Sequence, residues 1–138
     1  MPVLVVDRNP KDLSLAANTV NSAGFTAIEV RDSYESARCW LEGRLEAHLP
    51  LPHVIVLDLD LGLDSGYDLL RFWYFTPALS NAHVIVWTDL PEENRKICEL
   101  FNVHFYIPKW EGTAALRKAL QMLRMTNIPN SAPDPKAD

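Results

Sequence analysis

The stretch His53-Val-Ile-Val-Leu-Asp58 decides the fold. Four apolar residues in a row, three of them β-branched, read as a strand buried on both faces, and such strands belong to parallel sheets covered by helices. The tetrapeptide returns in His83-Val-Ile-Val-Trp-Thr88, which ends in a hydroxyl where the first run ends in a carboxylate. Working outward, the runs at 3–6, 26–30 and 103–107 join those at 53–57 and 83–88 as strand candidates. Amphipathic stretches alternate with them, which predicts βα units throughout and an α/β fold.

The helical stretches have their own start and stop signals. Leu13, Ala16, Ala17, Val20 and Ala23 recur at helical spacing after Pro10, and Gly24 follows as a stop. Asp32 and Glu35 stand three apart like a capping box ahead of Tyr34, Ala37, Leu41 and Leu45, and prolines at 50 and 52 end that helix. A third helix is expected from Ser65 or Gly66, with Trp73 in phase with Leu69 and Leu70 and therefore in the core. A fourth follows Pro91 with Ile97, Leu100 and Phe101 turned inward, and a fifth carries Leu116, Ala119, Leu120 and Leu123. Residues 1–126 then form one domain. The proline-rich polar stretch 127–138 is expected to fray, since it cannot add to a core.

The chain has 138 residues, enough for one core and one principal site, and Met1 together with the polar tail favours a complete product. A net charge of −5 gives none of the basic footprint that direct nucleic-acid binding requires. Cys39 and Cys98 form no Cys-x-x-Cys pair, so neither zinc nor a disulfide framework is signalled. No apolar run is long enough to span a bilayer and no signal peptide opens the chain, so a cytoplasmic protein without membrane contact is expected.

In an open parallel sheet the site lies beyond the carboxyl ends of the strands, where the winding reverses. There the first strand ends in Asp7, the third in Asp58 and the fourth in Thr88, and Lys109 follows the fifth. Transfer of a phosphoryl group to a carboxylate needs this kind of set: a nucleophile, a second acid to help hold a divalent cation, and a hydroxyl and an ammonium for the phosphoryl oxygens.

The blocks Val3-Leu-Val-Val-Asp7, Val54-Ile-Val-Leu-Asp58 with Gly66 eight residues on, Ile85-Val-Trp-Thr88 and Tyr106-Ile-Pro-Lys109 resemble the signature blocks of response-regulator receiver domains of two-component signalling. The resemblance implies a flavodoxin-like (βα)5 doubly wound sheet of order 2-1-3-4-5. It also implies that Asp58 accepts a phosphoryl group from a histidine kinase or phosphotransfer protein. Asp7 and Asp58 would hold magnesium, Thr88 and Lys109 the phosphoryl oxygens, and Tyr106 would reorient on activation. Such a chain is not an enzyme. With no room for an output domain, it would act as a stand-alone receiver through protein contacts.

Several positions depart from that family's pattern. Arg8 stands where a second acid is usual, and a fixed cation able to pair with Asp58 favours a metal-free site. Asp60 offers a carboxylate that would restore a magnesium ligand. Asp89 replaces a small residue, Gly62 a common proline, and Trp110 the proline usual after the lysine. These changes point to a second reading, a phosphorylation-independent pseudo-receiver acting as a binding or dimerisation module. The pair Asp58-Leu-Asp60 also resembles the nucleophile motif of haloacid-dehalogenase-type phosphatases, a remote third reading.

Two further clusters lie away from the carboxylates. Phe72, Tyr74 and Phe75 on the third helix are expected to form a contact surface for a partner or a second copy of the chain, with Phe101 and Trp110, near the fourth helix, fifth strand and fifth helix, as competing candidates. His53, His83 and His104 should gather at the opposite end of the sheet, where adjacent strands would allow a metal site, though strand-edge histidines bonded to loops are the preferred reading.

Overall fold

A computed structural model describes residues 2–62 and 64–131. Strands β1 (Val3–Val6), β2 (Ile28–Arg31), β3 (Val54–Leu57), β6 (His83–Thr88) and β7 (Val103–Pro108) form one parallel sheet in the order β2-β1-β3-β6-β7. Counting these five strands alone, the order is 2-1-3-4-5, the doubly wound arrangement expected from the sequence. Helices α1 (Pro10–Ser22), α2 (Tyr34–Glu46), α3 (Gly66–Tyr74), α4 (Asn94–Glu99) and α5 (Thr113–Ser131) connect and cover it. Strands β1 and β3 are buried along their whole length, and β6 from Val84 onward, because helices lie on both faces.

The sheet separates two cores. On one face Leu4, Leu41, Ile55, Leu57, Leu69, Leu70 and Trp73 pack together; on the other Val5, Val20, Val56, Ile85, Leu116 and Leu120 do so. Leu4 and Ile55 thus alternate with Val5 and Val56 to opposite faces, as the two-residue strand period demands. No described helix is long and apolar enough to cross a membrane.

Local signals explain most boundaries. Asn9 caps α1, its side chain accepting from the amides of Lys11 and Asp12, with Pro10 in the first turn. The cap of α2 is Ser33, which accepts from Ser36, rather than the expected Asp32–Glu35 box, because the extended backbone of Ser33 puts its hydroxyl within reach. Helix α4 turns Cys98 inward, while Ile97 and Leu100 are 46% and 72% exposed, which corrects the expectation for those two; Phe101 is half-buried against the core as expected. The helix begins at Asn94 and runs only to Glu99, so its phase differs from the one projected from Pro91. Helix α5 continues to Ser131, past the expected boundary at 126; the rest of the expected tail, 132–138, lies outside the described residues.

One element had no forecast. After β3 the chain forms a two-stranded antiparallel ribbon, β4 (Asp60–Leu61) and β5 (Asp64–Ser65), with Gly62 at φ +77° in its turn. That backbone is left-handed and suits glycine, which accounts for its presence at that position. The ribbon returns the chain so tightly that the amide of Gly66 donates to the carbonyl of Leu59 at 2.8 Å.

Candidate functional site

Asp7, Asp58, Thr88 and Lys109 do converge at the carboxyl end of the sheet. Asp58 sits one residue beyond β3, its amide donating to the carbonyl of Val6, so that it continues the ladder into the crevice. Its carboxylate is 6% exposed as a residue and is fully engaged. Oδ1 accepts from the Thr88 hydroxyl at 2.6 Å and from the Asp60 amide at 3.0 Å; Oδ2 accepts from Lys109 Nζ at 2.9 Å.

Lys109 is the hub. Its ammonium lies 2.7 Å from Asp7 Oδ2, 2.8 Å from Asp12 Oδ2 and 2.9 Å from Asp58 Oδ2. The Asp7 contact is an ion pair rather than an aligned hydrogen bond, while Asp7 Oδ1 accepts from the amide of Asn9. The ring of Trp87 lies beneath the ammonium, 5.3 Å from Nζ. Burial disfavours the lysine's charge, but the contacts with Asp12, Asp7 and Asp58 outweigh it and hold the ammonium protonated well above the ordinary lysine range. The pKa of Asp7 rises too, which for a carboxyl favours the neutral form. Burial raises its pKa, the lysine and the Asn9 amide pull it down, and the charge of Asp58 raises it again, leaving it above the usual aspartate value.

Asp12 was absent from the sequence expectations. In the first turn of a helix an aspartate reads as an ordinary favourable charge at the positive end of the dipole, which hid its second role. The available signal was its place one turn beyond Arg8, on a helix that starts at the crevice.

Arg8 does not reach Asp58. Its guanidinium pairs with Asp60 at 3.4 Å, both side chains being about half exposed, and it lies against Gly62. The Asp60 carboxylate also accepts from the amide of Gly62, so it is turned to the ribbon and Arg8. Arg8, Asn9, Pro10, Asp12, Asp58, Asp60, Asp89 and Lys109 line an open cleft of about 380 Å³. Hard carboxylate oxygens are the right chemistry for magnesium. Their arrangement is not: Asp7, Asp12 and Asp58 all turn to one ammonium and Asp60 to Arg8, and no group of three such side chains among the described residues is placed to hold a metal ion.

Tyr106 is turned inward, 7% exposed, and its hydroxyl donates to the carbonyl of Pro91 at 3.1 Å in the loop between β6 and α4. Arg95 lies over its ring at 4.9 Å. Trp110 follows Lys109 through a trans bond, there being no cis peptide among the described residues, and is 79% exposed.

No family model and no curated protein matches the chain. Solved structures do. The signal receiver domain of a DNA-binding response regulator protein (merR) from Colwellia psychrerythraea 34H superposes with a TM-score of 0.77 at 18% identity, over 91% of this chain and 98% of that one. The phosphorylated cyanobacterial phytochrome response regulator RcpA gives 0.74 at 20%, over 97% of both chains. The Mn2+-bound form of response regulator Rcp1 gives 0.71 at 23%, over 88% and 90%.

The chain has the response-regulator receiver fold. Within that fold the aromatic residues take distinct places. Phe72 is half-buried against the core with the Arg38 guanidinium 4.7 Å from its ring centroid, so it offers little free surface. Tyr74, by contrast, meets Phe75 and Phe101 edge to face, with Phe75 70% exposed. Tyr74 and Phe101 also help to wall a cleft of about 430 Å³ at the far end of the sheet from Asp58. Trp110 lies just past β7, in the short helical turn at Lys109–Glu111. The histidines gather as expected: His83 and His104 are 3.0 Å apart, ring nitrogen to ring nitrogen, and the amide of His83 donates to the carbonyl of His53.

Proposed function

We propose that this chain is a response-regulator receiver that takes a phosphoryl group on Asp58 from a histidine kinase or phosphotransfer protein and signals through protein contacts. The observation that carries the reading is the environment of Asp58, a carboxylate held between a hydroxyl at 2.6 Å and an ammonium at 2.9 Å. In the transfer an Asp58 oxygen bonds to phosphorus while the P–N bond of a donor phosphohistidine breaks, the imidazole keeping the electron pair. Thr88 and Lys109 would then stabilise charge on the phosphoryl oxygens. Magnesium is the cation that the receiver resemblance implies, but the residues as arranged give it no ready ligand set, so no step here relies on it.

Incubation with acetyl phosphate, with and without magnesium, should add one phosphate to the intact mass, and Asp58→Ala should abolish the gain. No added mass under either condition removes this reading in favour of the pseudo-receiver, whose specific support is that Arg8 pairs with Asp60 and that no three acids among the described residues are placed to hold a metal ion. Turnover of a simple phosphate ester that needs both Asp58 and Asp60 would instead support the phosphatase reading.

For the contact surface we favour Tyr74, Phe75 and Leu100 around the half-buried Phe101, Leu100 being 72% exposed, and a second copy of the chain as occupant. The wild type should sediment with a concentration-dependent dimer that Phe75→Ser shifts to monomer. A monomer at every concentration would remove the second-copy reading. A cytoplasmic location accords with a partner kinase that uses ATP.

A further inference from the structure

The carboxylates of this cleft raise a question of charge. Asp7, Asp12 and Asp58 turn toward a single point, and three buried or half-buried acids within ion-pair distance of one centre require a cation there. In a site for a divalent ion that centre would hold the ion. In this chain it holds Lys109 Nζ, only 8% of the side chain being exposed.

Two substitutions of charge accompany this arrangement. Position 8, next to Asp7, carries arginine, and its guanidinium draws Asp60 away toward the ribbon. Asp12, five residues after Asp7 and 25% exposed as a side chain, supplies a carboxylate from α1 instead and bonds the ammonium at 2.8 Å. Four of the five acids around the cleft are thus engaged, Asp60 by Arg8 and Asp7, Asp12 and Asp58 by Lys109, with Asp89 as the fifth.

We propose that Lys109, held by Asp7, Asp12 and Asp58, is the resident cation of this site, and that it excludes a divalent metal that the same carboxylates would otherwise bind. Asp12 is a positioning residue, acting through the ammonium that it fixes. The inference rests on reading this cleft as the receiver site, but its test needs no phosphodonor, so its failure is distinct from a failure of Asp58 to accept phosphate.

The test is a titration of the full chain with Mn2+, followed by the loss of the free-ion signal in electron paramagnetic resonance. Wild-type protein should show no saturable binding up to millimolar Mn2+. Lys109→Met removes the ammonium while keeping most of the apolar stem, and one added unit of net negative charge should tighten Mn2+ binding by at least about tenfold. Adding Asp12→Asn to Lys109→Met should reverse most of that gain, whereas Asp12→Asn alone should create no site. If Lys109→Met is unfolded without metal, the same result appears as recovery of its far-UV circular dichroism on adding Mn2+. Binding by wild type as tight as by Lys109→Met overturns the proposal, and so does absence of binding by both.

Discussion

Gly66→Ala should cost the fold about 3 kcal/mol or more, the collision of a side chain with backbone that has nowhere to move. A Cβ built at Gly66 would lie 2.4 Å from Leu59 Cα, 2.7 Å from the carbonyl oxygen of Asp58 and 2.8 Å from that of Leu59. All three are backbone atoms, and two flank the strand end that presents the candidate nucleophile. The amide of Gly66 is bonded to Leu59, so relief requires breaking that bond or moving α3 off the sheet. Helix α3 carries Leu69, Leu70 and Trp73 into the core, which makes the second route as costly as the first. Urea unfolding of the two proteins measures the difference; a loss below about 1 kcal/mol, the size of an ordinary substitution, would mean that the close approach is not maintained in solution. Gly62→Ala, in the neighbouring turn, should be milder, because its nearest neighbours are atoms of the exposed Arg8 side chain and only the positive φ is penalised.

The contrast between these glycines shows what the sequence made legible. Gly66 stood out by its spacing from Asp58, but spacing does not tell that the reason is a ribbon two residues wide. Two-residue strands leave no periodicity to read. The five parallel strands were legible because covered strands must be apolar on both faces, and β1, β3 and β6 are. Helix α4 was not. Six residues give fewer than two turns, too short for a period to fix a face, and Cys98 rather than Ile97 packs inward.

The candidate site divides the same way. Residues at strand ends were predictable, since the pleat and the sheet order fix where Asp7, Asp58 and Thr88 go. Pairings between long side chains were not. Arg8 had two acids within reach of its side chain and met Asp60, which lines the same cleft, rather than Asp58, which Lys109 and Thr88 already occupy. Asp12 was missed because its partner is 97 residues away in sequence.

Lys109→Met should destabilise the folded chain by about 3 kcal/mol at neutral pH, since removing one member of a buried ionic set leaves the others without compensation. The effect should also depend on pH in a defined direction. Asp7 already has a folded pKa above its unfolded value of 3.8, chiefly through burial. A carboxyl shifted upward binds protons more readily when folded, so its ionised form lowers stability at pH values above the folded pKa, and that cost is relieved as the pH falls through it. Lys109 is what limits the upward shift in the wild type. Without it the shift grows, and Asp7 in the variant should protonate at higher pH than in the wild type. The stability gap between the two proteins should therefore be widest near neutrality and narrow on acidification, as Asp7 protonates in the variant before it does in the wild type. Thermal unfolding from pH 4 to pH 8 reads both curves. A gap that stays constant over that range would mean that the ammonium contributes packing alone, and that Asp7 does not depend on it for its charge.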